Sequence, residues 1–240
     1  MEENAIVLSG GMSTESVLKI GDKVHRTKSS NHRFIHRVLR FLEKSKFSYS
    51  PRFLGIDQKG REILTFIEGE VPREFALSLQ QKIEAIKILR KLHDVLAKCD
   101  AKGASETICH NDFAPWNIIV KNDKVVGVID FDESAPGDRI DDIAYFIWTF
   151  LDLGVSAESV EAQIGNIAAL VRAYGLLGKE ELISAIFKQQ RRILAFRKQI
   201  VASEEAEHLV SFSQQAIINI QKSIDWVDKY REEIEKAISA

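Results

Sequence analysis

Several features that direct a protein to other environments or partners are scarce in this 240-residue sequence. Only two cysteines occur, Cys99 and Cys109, which excludes a disulfide framework and a four-cysteine metal site. No apolar run approaches the roughly 18 to 20 residues that span a bilayer, and the first residues, MEEN, are acidic where a secretory signal is basic. With 33 basic and 35 acidic residues, the basic excess of a nucleic-acid binder is missing. These absences predict a cytoplasmic protein with a small-molecule partner, no nucleic acid and no membrane; they leave the oligomeric state open.

Hydrophobic periodicity divides the chain into two parts. Up to about Glu70, short apolar runs separated by Gly and Asp turns predict a small β-sheet, with one helix over Asn31–Lys44. Beyond Pro72 the apolar residues recur every three or four positions, which predicts helices, the last over about Glu204–Ala237. We therefore predict an α+β chain with an N-terminal lobe over 1–69 and a helical lobe over 70–240, joined at Glu68-Gly69-Glu70. A hairpin with an Asn122-Asp123 turn is predicted within the second part.

The segment with the clearest chemistry begins at Ile108. It reads ICHNDFAPWNII, a polar cluster between apolar residues, and GVIDFD follows after the predicted hairpin. Phosphoryl transfer requires a carboxylate that orients or deprotonates the attacking hydroxyl, and oxygen ligands that hold a divalent metal against the phosphates. Asp112, Asn117 and Asp130 provide these groups, and the spacing from His110 to Asn117 matches the kinase catalytic-loop pattern.

Together, HNDFAPWN, VIDFD and PGDRIDDIA resemble the aminoglycoside phosphotransferase and choline kinase-like family, the small-molecule branch of the protein-kinase fold. The resemblance implies a two-lobed protein-kinase-like fold and transfer of phosphate from ATP or GTP to a small-molecule hydroxyl. It implies that Asp112 is the catalytic base and that Asn117 and Asp130 bind Mg²⁺. It also implies that His110 holds the catalytic loop and that Asp138 and Asp142 are structural acids.

The same resemblance suggests where the nucleotide binds. LSGGMSTESVLKI is similar to the loop that covers the phosphates, so backbone N–H groups of Gly11 and Ser13 are expected to contact them. ILTFIEGE is similar to the strand and hinge that bind adenine, so we expect hydrogen bonds from the Thr65 carbonyl and the Ile67 N–H.

One position departs from the family. Where the phosphate-binding lysine is expected, the chain reads KVHRTKS, which makes Arg26 the first choice and Lys28 the alternative. An arginine retains the charge and can contact phosphate through two nitrogens. In the following helix His36 occupies the place of the expected glutamate, so the usual ion pair is predicted to be absent.

Other interpretations of these residues remain. The polar cluster could be a turn and capping network, or the chain could be a nucleotide-binding pseudokinase that regulates a partner. A zinc site at His110 lacks further His or Cys ligands at suitable spacing. His93 is expected to pack or cap a helix.

The acceptor is not fixed by the motifs. Aminoglycosides are favoured by the resemblance, and choline, a sugar or an amino-acid derivative are alternatives. An aromatic box for a quaternary amine is the less favoured interpretation of four residues whose spacing is typical of a core: Trp116, Tyr145, Phe146 and Trp148. A basic run is expected to be a solvated helix face: Lys188, Arg191, Arg192, Arg197 and Lys198.

Overall fold

The N-terminal part of the chain is an antiparallel sheet. The computed structural model describes residues 5–8, 17–73, 76–176, 181–203 and 206–239. Five strands form the sheet in the order β1-β2-β3-β5-β4, and every neighbouring pair is antiparallel. Their bounds are β1 (Ala5–Leu8), β2 (Val17–Ile20), β3 (Lys23–Arg26), β4 (Phe53–Ile56) and β5 (Glu62–Thr65).

One helix, α1 (His32–Lys44), accompanies this sheet and confirms the predicted element. Its buried apolar residues, Ile35, Val38, Leu39 and Leu42, recur at the spacing of one helix face. That face contacts β4 and the first helix of the second part, so the helix lies between the sheet and the helical part.

The C-terminal part is mainly helical, as predicted. Its long helices are α2 (Leu79–Leu96), α3 (Arg139–Leu151), α4 (Val160–Tyr174), α5 (Leu182–Ala202), α6 (Glu207–Lys229) and α7 (Arg231–Ser239). A capping box between Ser78 and Gln81 starts α2. Helix α3 is buried on most sides and contacts α2, α4 and α5. None of the helices in the described residues combines the length and the apolar character that crossing a membrane requires.

The C-terminal helix differs from the prediction, because the chain forms two helices instead of one. The break lies at Tyr230, whose φ and ψ are −107° and 22°. After it, α7 buries Ile234 and Ile238 and contacts α4. Burial of these two side chains explains the change of direction, which no glycine or proline marks in the sequence. The predicted start, Glu204, lies outside the described residues.

Two small sheets lie at the centre of the chain and frame two loops. Strand β6 (Thr107–Cys109) pairs with β9 (Ala135–Gly137), and β7 (Ile118–Lys121) pairs with β8 (Lys124–Val128). The predicted turn of the β7–β8 hairpin is confirmed, since Asn122 and Asp123 have φ values of 51° and 59°. Residues 110–117 connect β6 to β7, and residues 129–134 connect β8 to β9. The strands therefore fix both ends of each loop.

The predicted joint follows β5 directly. Glu70 and Val120 exchange two backbone hydrogen bonds, of 3.0 and 2.9 Å, so the joint is paired to β7. Gly69 has a φ of 143°, and a Cβ atom there would lie 2.6 Å from the Val120 carbonyl oxygen. The close approach explains the glycine. The division into lobes at residue 69 stays a prediction.

Candidate active site

The loop from His110 to Asn117 is anchored by a buried carboxylate on α3. Asp142 accepts hydrogen bonds from the backbone N–H groups of His110 (2.7 Å) and Asn111 (2.8 Å). Its Oδ2 also lies 3.0 Å from Nε2 of His93, whose Nδ1 lies 2.8 Å from the Tyr174 hydroxyl. Burial opposes the charge of Asp142, but the bonds to His93 and His110 keep its pKa below the ordinary value. The loop is thus tied to α2 and α3.

This network decides three expectations about structural residues. Asp142 holds the catalytic loop, as predicted. His110 is fully buried and its Nε2 lies 3.2 Å from the Ile129 carbonyl oxygen, so it links the two loops. His93 does more than pack or cap, because it is the side-chain partner of Asp142. Asp138 takes part through its backbone carbonyl, which accepts from Cys109 Sγ at 3.2 Å.

Asp112 is surrounded by hydrogen-bond donors. The Tyr145 hydroxyl donates to Oδ1 at 2.8 Å, and Asn117 Nδ2 donates to Oδ2 at 2.8 Å and to the Asp112 carbonyl at 2.9 Å. The Trp116 indole lies at 3.4 Å from Oδ2. Burial raises the pKa of Asp112 above its ordinary value, although His110 and these donors oppose the rise. A carboxylate in this environment is a stronger base than an exposed one.

Asn117 and Asp130 are brought together by the contact between their loops. The backbone N–H of Ile129 donates to the Asn117 carbonyl at 2.9 Å, and Asp130 follows with a φ of 63°. Because the Asn117 amide nitrogen is bonded to Asp112, its Oδ1 is the atom that can ligate a cation. Asp130 is 46% exposed at its side chain, and Asp132 lies beside it. Amide and carboxylate oxygens of this kind fit Mg²⁺, which prefers hard oxygen ligands.

Arg26 connects the sheet to this acidic loop. Its Nε donates to Glu62 Oε1 at 2.5 Å, Nη1 to Asp130 Oδ1 at 3.2 Å and Nη2 to Asp132 Oδ1 at 2.5 Å. Burial disfavours the charge, but the carboxylates of Asp132, Glu62 and Asp130 raise the pKa of Arg26 above its usual value. Arg26, rather than Lys28, is the basic residue that the structure brings to Asp130.

Arg26 has an acidic partner that was not predicted, although this partner does not come from helix α1. Glu62 on β5 lies directly opposite Arg26 on β3, is 1% exposed and bonds Arg26 through one oxygen. Its other oxygen lies 2.7 Å from Nε2 of His36 on α1. The glutamate comes from a strand instead of the helix, and His36 joins it there. Alternation along EILT places Glu62 and Leu64 on one face, a signal that the sequence contained.

The remaining nucleotide residues are only partly described. Gly11 and Ser13 lie outside the described residues. Thr65 ends β5, and its hydroxyl oxygen accepts from the Arg52 N–H at 2.9 Å. Ile67 follows and packs so closely on Gly127 that a Cβ there would lie 2.8 Å from Ile67 Cδ1. The backbone contacts of Thr65 and Ile67 with a base stay predictions.

The basic run on α5 is largely exposed to solvent, as predicted, but two of its residues also contact α3 and the loop after β6. Lys188 bonds both carboxylate oxygens of Asp141 at 2.8 Å, and Arg192 Nη2 donates to the Asn111 carbonyl at 3.2 Å. The Arg192 guanidinium also lies 5.8 Å from the centre of the Tyr145 ring. Lys188 and Arg192 are four residues apart and therefore share a helix face, which was readable from the sequence.

The aromatic residues form a core instead of a box. Phe146 is fully buried and stacks on Phe150 at 3.7 Å, and Trp148 is 9% exposed. Tyr145 is also buried, with its hydroxyl on Asp112. Trp116 alone of the four is open to solvent. The core interpretation is confirmed for Phe146 and Trp148.

Among the described residues, one buried group has metal-ligand geometry: the ligand atoms of His93, Cys109 and Asp142 lie within 4.8 Å of one another. Each is already engaged, since Asp142 bonds His93 and two backbone N–H groups, and Cys109 bonds Asp138. We assign this cluster to support of the loop.

Comparisons with known proteins agree with the geometry. Residues 94–180 match the phosphotransferase enzyme family, APH. The chain is 29% identical over 198 residues to the trifolitoxin immunity protein of Rhizobium leguminosarum bv. trifolii. The aligned region covers 73% of this chain and 76% of that protein.

Solved structures share the fold across nearly the whole chain. A choline/ethanolamine kinase family protein from Mesorhizobium loti has a TM-score of 0.65 at 14% sequence identity. The superposed region covers 98% of this chain and 92% of that protein. The gentamicin complex of APH(2″)-IIa has a TM-score of 0.60 at 16% sequence identity, over 92% of this chain and 93% of that protein. The predicted resemblance is confirmed: the catalytic segment matches the phosphotransferase enzyme family, and the chain has the protein-kinase-like fold of aminoglycoside phosphotransferases and choline/ethanolamine kinases.

Proposed function

We propose that this protein transfers the γ-phosphate of ATP or GTP to a hydroxyl group of a small molecule. The observation that carries the proposal is the meeting of Asp112, Asn117 and Asp130 through contacting loops, with Arg26 bonded to Asp130. A positioned carboxylate, hard oxygen ligands and a phosphate-binding cation are the parts that phosphoryl transfer needs. The family match over residues 94–180 supports the same reaction.

In the proposed reaction each residue has one task. Asp112 orients the acceptor hydroxyl and accepts its proton, while Tyr145 and Asn117 hold the carboxylate in place. Asn117 and Asp130 would hold Mg²⁺, which neutralises phosphate charge when it is bound. Arg26 binds the phosphates. The predicted backbone contacts of Gly11 and Ser13 with the phosphates, and of Thr65 and Ile67 with the base, complete the proposal.

The contacts of Arg26 weaken the pseudokinase alternative. That alternative depended on the loss of the ion pair that fixes the phosphate-binding cation. Glu62 supplies the missing carboxylate from β5 and is itself bonded to His36. Glu62 is 1% exposed and bonds both Arg26 and His36, so it orients the guanidinium. This contact supports a phosphate-binding role for Arg26.

The acceptor can be narrowed by charge. Neighbouring structures contain gentamicin, streptomycin or spectinomycin, so an aminoglycoside-type acceptor is the first candidate. Arg192 contacts the catalytic loop, however, and positive charge beside Asp112 repels a polycation. The similarity to a trifolitoxin immunity protein favours a second candidate, a hydroxyl on a toxin. Expression in sensitive bacteria, followed by measurement of growth inhibition, separates these candidates.

Replacement of Asp112 tests the proposed reaction. In an ADP-release assay over a panel of hydroxyl compounds, Asp112→Asn should lower kcat by roughly 10²- to 10⁴-fold, the range of general-base catalysis, with nucleotide affinity unchanged. Asp123→Asn, in the exposed hairpin turn, is the matched control and should retain wild-type turnover. Near wild-type transfer by Asp112→Asn contradicts the assignment of the base.

A further inference from the structure

A cavity of about 620 Å³ opens beside the catalytic loop, between the start of α2 and the end of α3. Its walls include Leu77, Ser78, Lys82, Trp116, Asp152 and Glu158. The volume lies within the range of pockets that bind small molecules. Apolar and charged side chains both line it, which is typical of a pocket that orients its ligand.

The cavity reaches the proposed catalytic base through one shared wall. Trp116 lines the cavity and is 38% exposed, and its indole Nε1 lies 3.4 Å from Asp112 Oδ2. A ligand against the indole can therefore extend a hydroxyl group past its edge towards Asp112. The neighbouring Pro115 also lines the cavity, so the catalytic loop itself forms this side.

Lys82 stands at a position where a positive charge does not stabilise its helix. It is in the first turns of α2, near the end where the helix macrodipole is positive. The side chain is half-buried, and burial lowers the pKa of its ammonium although Glu158 and Asp152 oppose the shift. The helix end and the ammonium together attract an anionic group.

Asp152 carries a negative charge at the negative end of its own helix. It caps the C-terminus of α3, where the macrodipole is negative, and its φ of 46° is left-handed. Burial raises the pKa of its carboxyl group, although Lys82 opposes the rise. This corner of the cavity therefore attracts a cationic group. Both charges thus oppose the dipoles of their own helices and face the cavity, where a ligand of opposite charge would offset this cost.

Neither charge is neutralised by a direct contact in the part of the chain that the structure describes. No ion pair or side-chain hydrogen bond joins Lys82 or Asp152 to a described residue. Their polar neighbours have structural partners: Ser78 forms the capping box with Gln81, and Glu158 accepts from Asn166 at 2.9 Å. Glu158 keeps its charge, so one ammonium and two carboxylates line the cavity, and Lys82 and Asp152 are the two of these that lack a direct side-chain partner among the described residues.

We propose that this cavity binds the phosphate acceptor and that the acceptor is dipolar, with a carboxylate held by Lys82, an ammonium held by Asp152 and a hydroxyl directed to Asp112. This assignment rests on the proposed phosphotransferase function for the role of the hydroxyl. The chemistry is that of a hydroxylated amino acid or of a short peptide with free termini. It differs from a polycation, which offers no anionic group to Lys82.

Calorimetric titration without nucleotide or metal tests the recognition apart from transfer. The first set of probes contains three hydroxyl compounds. L-serine carries both charges, ethanolamine carries only the positive charge, and 3-hydroxypropionate carries only the negative charge. Glycyl-L-serine, its C-terminal amide and its N-acetyl derivative form the corresponding peptide set. In at least one set, the affinity of the dipolar compound should exceed that of each singly charged compound by about tenfold or more. Each charge-assisted hydrogen bond contributes at least that factor to the affinity. The set that shows this preference identifies an amino acid or a peptide.

Two substitutions assign the charges to the two residues. Lys82→Met should weaken the dipolar and anionic probes about tenfold or more without weakening the cationic probe; Asp152→Asn should weaken the dipolar and cationic probes without weakening the anionic probe. Lys87→Met, on the exposed face of α2, and Asp123→Asn, also at a left-handed position, are the matched controls and should bind like wild type. Asparagine tolerates the left-handed conformation, so Asp152→Asn should fold.

The outcomes separate this proposal from the reaction. If the dipolar probe binds with the expected preference but no compound is phosphorylated, the binding site stands and the phosphotransferase function fails. If an aminoglycoside or ethanolamine is phosphorylated while no dipolar probe is preferred, the function stands and the dipolar acceptor is wrong. Failure of every probe to bind, or equal effects of Lys82→Met and Lys87→Met, also overturns the dipolar acceptor.

Discussion

In the proposed nucleotide site, Arg26 is the residue that contacts both the sheet and the loop after β8. Its guanidinium bonds a buried glutamate on one side and Asp130 and Asp132 on the other, which fixes it between the sheet and that loop. His25, its neighbour on β3, lies 3.0 Å from Asp57 instead. Alternation along the strand accounts for this difference, since adjacent side chains point to opposite faces.

Removal of Arg26 should therefore weaken nucleotide binding while Lys28 matters less. We expect Arg26→Ala to reduce ATP affinity by about 1.5 to 3 kcal/mol, the contribution of a hydrogen bond to a charged group. Calorimetric titration of ATP into Arg26→Ala and the matched variant Lys28→Ala measures the difference. A larger loss of ATP affinity in Lys28→Ala would show that Lys28, two residues after Arg26, contacts the phosphates instead.

Tyr145 should control the pH at which Asp112 becomes active. Burial raises the pKa of Asp112, and the hydrogen bond from Tyr145 opposes that rise. A base works when it is deprotonated, so activity falls as the pH drops through this raised pKa. Tyr145→Phe removes the opposing bond, and the acidic limb of kcat/KM against pH should move to higher pH. A limb that stays in place or moves to lower pH contradicts the role of Tyr145.

These residue-level results show what the sequence could provide. His110, Asp112, Asn117 and Asp130 are close in sequence, and their spacing alone predicted the group that the structure brings together. Glu62 was missed because its partner lies 36 residues away on a neighbouring strand. Cross-strand pairs depend on register, which a single sequence determines only weakly.

At the level of elements, α3 positions the catalytic loop. Its first turn carries Asp142, whose carboxylate replaces solvent for two loop N–H groups and is bonded to His93 on α2. Helix α1 has a smaller task than its position suggests, because the carboxylate that bonds Arg26 comes from β5. The orientation of Arg26 is therefore set within the sheet, and α1 contributes through His36.

Replacement of Asp142 should cost stability in a pH-dependent manner. Asp142→Asn keeps the shape but has one acceptor oxygen for two backbone N–H groups and His93, and we expect a loss of about 3 to 5 kcal/mol at pH 7. The pKa of Asp142 is lower in the folded protein than its ordinary 3.8. The unfolding free energy of the wild type should therefore exceed that of Asp142→Asn by the full amount above about pH 4. The difference should disappear as the pH falls through the folded-state pKa of Asp142.

Urea unfolding of wild type and Asp142→Asn at several pH values measures this advantage. Asp141→Asn is the matched control, since Asp141 lies beside it on α3 and bonds Lys188 at the surface. An advantage that already declines between pH 7 and pH 6 would assign the effect to a histidine instead.

The elements themselves were predictable where their apolar spacing is regular, as in α1 and in the hairpin with its Asn-Asp turn. The break between α6 and α7 was not, because Tyr230 is neither a glycine nor a proline. The helix ends there so that Ile234 and Ile238 reach α4, and this contact is tertiary. Local propensity contains no information about such a contact.

At the level of the whole molecule, the connection between the sheet and the helical part determines whether the two halves of the site meet. Arg26 comes from the sheet, whereas Asp112, Asn117 and Asp130 belong to the second part. The chain crosses between them after β5, where Glu70 pairs with Val120 on β7. Because β7 starts directly after Asn117, the crossing point is coupled to the catalytic loop by a single strand.

Gly69 should therefore be less replaceable than Gly60, which also has a positive φ. Gly69→Ala adds a Cβ 2.6 Å from the Val120 carbonyl oxygen at a φ of 143°, so the pairing of Glu70 with Val120 must shift. Gly60→Ala is the matched control, because its φ of 79° is also strained but nothing lies within 4 Å of the added atom. Backbone strain alone costs about 1 to 3 kcal/mol, and Gly69→Ala should exceed Gly60→Ala in loss of unfolding free energy. It should also weaken ATP binding, which Gly60→Ala should leave unchanged. Equal effects of the two substitutions on stability and on ATP affinity would show that the joint does not align the two halves of the site.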